Sequence, residues 1–166
     1  WHLAGGRITA FRPPGETGRR GVRRLLPDST GVLWVGTDGG GLWRLDGGRF
    51  EAFTTRDGLP SDLVHALLED PGSGVWVGTR DGLARLRRRA FTALGGRELH
   101  TDRFVTAGAG SRGGGMWVGT RAGLHHVDTD RMTARSVLPR LPNTMVLSVL
   151  EDRAGALWVG TREGLW

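Results

Sequence analysis

Trp34-Val35-Gly36-Thr37 returns as Trp76-Val77-Gly78-Thr79, then as Trp117-Val118-Gly119-Thr120, and again as Trp158-Val159-Gly160-Thr161. The intervals are 42, 41 and 41 residues. A domain with one irregular core has no use for the same four residues at a fixed interval. A row of stacked, near-identical supersecondary units does, and a period of this length marks a repeat architecture.

The likeness spreads outward from the tetrapeptide. The second copy runs Asp57-Gly58-Leu59-Pro60-Ser61-Asp62, an apolar stretch from Leu63 to Leu68, Glu69-Asp70, then Val75 to Thr79 and Asp81-Gly82-Leu83. The fourth restates it with Leu141-Pro142-Asn143, Val146 to Leu150, Glu151-Asp152, Ala156 to Thr161 and Glu163-Gly164-Leu165. The first has Pro27 before Asp28 in place of Glu. The third is the most worn: Gly110-Ser111 stands for Glu-Asp and Gly113-Gly114-Gly115 for an ordinary turn. A less regular unit is expected there.

Each unit reads as four short strands. Leu63 to Leu68 is apolar and bounded by turn residues, as a strand buried on both faces would be. Asp70 to Gly74 is a turn cluster, and Asp28, Asp70 and Asp152 read as turn-forming residues. Val75 to Thr79 is the second strand, Leu83 to Leu86 the third, and Ala90 to Leu94 (Phe50 to Thr54 in the first copy) the fourth. Gly41, Gly82, Gly123 and Gly164 each precede Leu, which predicts a backbone position suited to glycine. Four antiparallel strands in 41–42 residues predict an all-β fold, a β-propeller.

Along the second strand Trp76 and Gly78 share one face, and Val75, Val77 and Thr79 the other. In a propeller, both faces are covered by neighbouring blades, and a Trp buries on the order of 200 Å². Trp34, Gly36, Trp76, Gly78, Trp117, Gly119, Trp158 and Gly160 are therefore the expected core between blades. The position held by Trp43, Ala84 and His125, and by Trp1, tolerates such different sizes that it is expected near an edge. Trp1 and Trp166 share the phase of Trp43, so residues 1–166 read as a partial propeller of about four repeats with no second domain. A seven-bladed ring would need roughly 290 residues at this period.

Composition narrows the chemistry. There is no Cys, so no disulfide framework and no thiolate metal site. No run of 18 apolar residues occurs. The net charge is +6 and every basic side chain apart from histidine is Arg. Arg19-Arg20 with Arg23-Arg24, and Arg85 with Arg87 to Arg89, form two basic clusters. No aromatic residues interleave with them to stack bases, so no nucleic acid is expected as a partner.

Catalytic constellations are thin. His125-His126 are adjacent on a strand and point to opposite faces, a poor start for one metal site. Glu69-Asp70 and Glu151-Asp152 recur with the repeat, which marks them as structural. The Gly runs do not open a helix after a strand and are turns, not phosphate loops. No catalytic set, cofactor or metal is expected. Arg23 and His65 lie on predicted innermost strands, which border a propeller's central channel, and are the candidate ligand-binding residues.

Asp57 to Asp62, Glu69-Asp70, Val75 to Thr79 and Asp81-Gly82-Leu83 together resemble the two-component regulator propeller repeat, and the fourth copy is similar. This resemblance implies the periplasmic sensor region of an inner-membrane protein, often with two seven-bladed rings, an immunoglobulin-like domain, a transmembrane helix and a cytoplasmic output. That output is usually a histidine kinase and sometimes a diguanylate cyclase. The ligand of some members is an oligosaccharide, so the implied partners are a small molecule or oligosaccharide, the rest of the parent sensor, and a second copy in a dimer formed through the parent. The family carries no fixed catalytic set in the propeller. Two alternatives stay open: a propeller-scaffold enzyme such as a lyase or lactonase, which predicts a His or carboxylate cluster with a metal near the axis, and a generic protein- or glycan-binding propeller.

Overall fold

The computed structural model describes residues 2–5, 7–9, 20–70, 74–87, 89–94, 103–137 and 145–166. Trp1, Arg19, Arg88, residues 71–73 of the second-copy turn and residues 141–143 of the fourth copy fall outside them.

Three complete blades follow one another, each a four-stranded antiparallel sheet in chain order. The first is β3 (Val22–Pro27), β4 (Leu33–Thr37), β5 (Leu42–Asp46) and β6 (Arg49–Phe53). The second is β7 (Val64–Asp70), β8 (Gly74–Thr79), β9 (Gly82–Arg87) and β10 (Ala90–Leu94). The third is β11 (Val105–Gly110), β12 (Met116–Thr120), β13 (Gly123–Asp128) and β14 (Thr133–Ser136). Two-stranded sheets lie at either end of the sequence: β1 (His2–Ala4) with β2 (Arg7–Thr9), and β15 (Val146–Glu151) with β16 (Leu157–Thr161). The third copy, expected to be irregular, forms a full blade, because its glycines fall in or beside the β11–β12 turn and leave the ladder intact.

Blades stack through unlike faces. The Trp-Gly face of one meets the Val-Val face of the next: Trp34 with Val64, Val75 and Val77, then Trp76 with Val105, Met116 and Val118. The glycine makes room for a valine from the next blade, not for an indole ring. A Cβ on Gly36 would stand 2.7 Å from Val64 Cγ1, and one on Gly119 2.5 Å from Val146 Cγ1. Gly78 faces Val105 in the same way. Each blade therefore presents a hollow on one face and a valine on the other.

Three expectations are corrected. Trp34 and Trp76 are buried and Trp117 is half-buried, but Trp158 is 46% exposed. Its face of β16 carries no further sheet among the described residues, and Gly160 meets only Ser148 of its own blade. At the other end, Val22 holds the valine position and is 54% exposed. The Trp43 position is not near an edge: Trp43, Ala84 and His125 are all buried. Third strands have a partner strand on both sides, and these residues sit opposite the central valines Val35, Val77 and Val118. The first strand of a blade is also less buried than a two-sided reading implies, since four of the seven positions of β7 are only half-buried.

Side chains of the repeat hold the turns. Thr37 Oγ1 donates to Gly41 O at 2.7 Å, and Thr79, Thr120 and Thr161 donate likewise to Gly82, Gly123 and Gly164. Those glycines have φ of +75°, +150°, +133° and +140°, a region in which a Cβ is strained. Asp28 caps its turn, accepting from the backbone of Thr30 and Val32 and from Trp34 Nε1 at 2.8 Å. Asp152 repeats this with Ala154, Ala156 and Trp158. The glutamate of the pair reaches across to the preceding blade: Glu69 accepts from Ser29, and Glu151 from Arg112 N and Trp117 Nε1. Glu-Asp is therefore a double latch, one carboxylate for the neighbouring blade and one for its own turn. Asp70 departs from the pattern. Its buried carboxylate takes Arg85 Nε and Nη2, both at 2.9 Å, while the Arg85 guanidinium lies 5.2 Å from the Trp76 ring centroid.

Candidate functional site

The first strands of successive blades lie side by side, β3 by β7, β7 by β11 and β11 by β15. Each carries an irregularity one residue after its leading valine. Val22 and Arg24 pair with the consecutive residues Thr37 and Gly36, leaving Arg23 as the extra residue. His65, Thr106 and Leu147 are extra in the same sense in β7, β11 and β15. A bulge inserts one residue into one strand and re-aims a side chain. Here all four re-aimed residues line one cavity of about 460 Å³, together with Arg24, Phe104 and Met145. Volumes of a few hundred Å³ suit small ligands.

The structure thus brings Arg23 and His65 together. Arg23 Nη2 lies 2.8 Å from Asp38 Oδ2, with both side chains more than 40% exposed, so the pair is screened by water and leaves the guanidinium accessible. The His65 ring stacks on Phe104 with centroids 4.7 Å apart, and Arg121 lies 3.9 Å over the Phe104 ring. Burial of His65 pushes its imidazole below the ordinary value, and the positive charge of Arg23, Arg24 and Arg121 adds to this against the opposing pull of Asp38. The Thr106 hydroxyl is engaged with two backbone carbonyls, Gly119 O at 3.0 Å and Val146 O at 2.5 Å. The mouth therefore has an arginine side and an apolar side of Phe104, Met145 and Leu147.

Sequence reading missed Thr106 and Leu147, though a signal existed. At intervals of 42, 41 and 41 residues the copies read Val22-Arg23, Val64-His65, Val105-Thr106 and Val146-Leu147. The valine repeats because it fills the preceding blade's hollow. The residue after it differs in every copy, as expected for a side chain free of that packing.

Other clefts are less suggestive. One of about 450 Å³ contains Asp128 and Arg131, which pair with each other at 2.7 Å. Another of about 370 Å³ contains Arg44, Glu51 and Arg89, joined by contacts of 3.8 and 3.1 Å. In the Arg85–Arg89 cluster, Arg85 and Arg87 are engaged by Asp70 and Arg89 by Glu51. His125 and His126 do point apart: His125 is buried near Thr120 Oγ1, and His126 sits edge-on to Trp117 with its Nε2 at 3.0 Å from Gly114 O. Among the described residues no three His, Asp or Glu side chains stand together as cation ligands.

Comparison with known proteins agrees with the blade architecture. The family model described as two component regulator propeller matches residues 19–39, 58–81 and 140–163. The extracellular domain of the hybrid two component system BT3049 from B. thetaiotaomicron superposes with a TM-score of 0.77 at 22% identity, over 87% of this chain and 21% of that one. The extracellular domain of BT4673 from the same organism gives 0.77 at 22% identity, over 93% and 21%. Virginiamycin B lyase from Staphylococcus aureus gives 0.71 at 14% identity, over 88% and 54%. The chain spans about a fifth of the length of the two extracellular domains and about half that of the lyase. No curated protein matches it.

Proposed function

We propose, for a chain that carries two-component regulator propeller repeats in β-propeller blades, that it is the ligand-sensing extracytoplasmic part of a bacterial two-component sensor. One observation carries the ligand-sensing part: four strand bulges, one per blade and each with a different residue, turn Arg23, His65, Thr106 and Leu147 into a single cavity beside a repeated Val and Trp-Val-Gly-Thr. A scaffold that keeps its repeat and varies one position around a common mouth is suited to recognition. Its ligand is a small molecule or oligosaccharide. The ring is seven-bladed, and the parent is a dimeric inner-membrane histidine kinase or diguanylate cyclase.

Signalling then follows from differential affinity. A ligand seated across several first strands favours the arrangement in which those blades close on it, and the output shifts by no more than that preference. The test is made in the full-length sensor, reading its output in cells against a panel of small molecules and glycans. A responsive output that Arg23→Ala with His65→Ala silences, at unchanged protein level, supports the reading. An output that responds identically in the double variant contradicts it.

A further inference from the structure

The charge and shape of the axial mouth define a ligand class, and the inference rests on the ligand-sensing reading above. Among the described residues, Arg23 and Arg24 line it, Arg121 lies beside it over Phe104, and Asp38 is the carboxylate that acts on His65 with them. Each of the two other clefts balances two arginines with two carboxylates in its lining, Arg131 and Arg135 with Asp128 and Asp130, and Arg44 and Arg89 with Asp28 and Glu51. The mouth alone keeps an excess of positive charge, and arginine's planar fork matches a carboxylate or sulfate. The facing wall is apolar: Phe104 and Met145 are half-buried, and Leu147 is 45% exposed. Thr106, the hydroxyl of the lining, is directed to backbone carbonyls. A polyhydroxylated body would find few partners on that wall, and an apolar one would cover it.

We propose that the axial mouth binds a small organic anion, its carboxylate or sulfate held by Arg23 and Arg24 and its apolar body laid against Met145, Leu147 and the edge of the Phe104 ring. The cavity of about 460 Å³ has room for a molecule of that size. Asp38 competes with the ligand for Arg23 and sets the affinity from within.

The experiment compares benzoate with benzamide, which has the same body without the charge, and with glucuronate, which has the charge on a hydroxylated body. Binding to the protein is followed by calorimetry and by the chemical shifts of the His65 ring. Benzoate is expected to bind and shift those resonances, benzamide to bind at least about tenfold more weakly, and added salt to weaken benzoate. Arg23→Ala with Arg24→Ala should abolish the difference between benzoate and benzamide. Asp38→Asn, which removes the competing carboxylate, should tighten benzoate several-fold. Equal binding of benzamide, tighter binding of glucuronate than of benzoate, or weaker benzoate binding in Asp38→Asn would overturn the proposal. So would the absence of benzoate binding in a protein whose full-length parent still responds through Arg23 and His65. In that case the sensor reading survives and the ligand class fails. Loss of the parent's response in wild type would sink the sensor reading instead.

Discussion

Gly78→Ala places one methyl group where two blades meet. Its Cβ would stand 2.9 Å from Ala66 Cβ and 3.1 Å from Val105 Cβ, with Val105 Cγ1 closer still. Val105 is fully buried and Ala66 nearly so, and each is paired to the second strand of its blade beside a bulge, so neither can step aside alone. Overpacking of this kind destabilises by about 1–3 kcal/mol. Replacing a strand glycine returns something under about 1 kcal/mol of backbone entropy. The net expectation is a loss of about 1–2 kcal/mol, or on the order of 5 °C in Tm for a chain of this length. Gly160→Ala is the matched control: its new Cβ meets the side chain of exposed Ser148, which can rotate, and the expected change is within about 0.5 kcal/mol. Urea unfolding followed by tryptophan fluorescence reads both, with amide exchange in β8 and β11 to localise the effect. Adding Val105→Ala to Gly78→Ala should remove the closest contact, that with Val105 Cγ1, so the double variant loses at least about 0.5 kcal/mol less than the sum of the singles. Equal losses for Gly78→Ala and Gly160→Ala, or strict additivity, would refute the valine-in-hollow account.

Val64→Ala empties one such hollow and should lose about 2 kcal/mol, whereas Val22→Ala, the same position on an exposed face, should fall within about 0.5 kcal/mol in the same urea assay. Arg85→Ala leaves the Asp70 carboxylate, whose side chain is 2% exposed, with Arg87 at 3.3 Å as its remaining ion-pair partner, and should destabilise by about 2–4 kcal/mol. The latch carboxylates give a pH signature. The hydrogen bond from Trp117 holds Glu151 low, that from Trp158 holds Asp152 low, and at Asp28 burial pushes upward but the bonds from Thr30, Trp34 and Val32 outweigh it. A lowered folded value stabilises the fold fully above the ordinary values of 4.5 for Glu and 3.8 for Asp, and that contribution is lost as pH falls through the lowered ones. Melting curves should therefore be flat from pH 7 to about 5 and drop below it, less steeply in Asp152→Asn with Glu151→Gln. Proton NMR of His65 should show a titration below 6.5 that rises towards it in Arg23→Met, since the burial remains but one facing cation is gone.

The fold was legible because its signal is covalent and periodic. The tetrapeptide interval, the Gly-Leu steps and the strand lengths predicted blades whose edges differ by a residue or two from those observed. The partner of each glycine was not legible. Gly78 and Val105 are far apart in sequence, and the alternation of a strand says which residues share a face but not what meets that face. The same limit misplaced the Trp43 position: its tolerance of Trp, Ala and His looked like exposure, while the structure accommodates the three sizes inside. Glu-Asp was recognised as structural, but its division of labour needed the neighbouring blade. Of the four bulge residues, Arg23 and His65 stood out in the sequence, because basic and imidazole side chains on an inner strand are conspicuous. Thr106 and Leu147 did not, since neither carries charge and the bulge that re-aims them is a backbone irregularity with no residue signature of its own.

The most direct test of the sensor assignment is the coding sequence on either side of these 166 residues. The account predicts further Trp-Val-Gly-Thr units at intervals of 41 or 42 residues, then a membrane-spanning segment and a histidine kinase or diguanylate cyclase module. A coding region confined to these four units, with no membrane span and no output module, would contradict it.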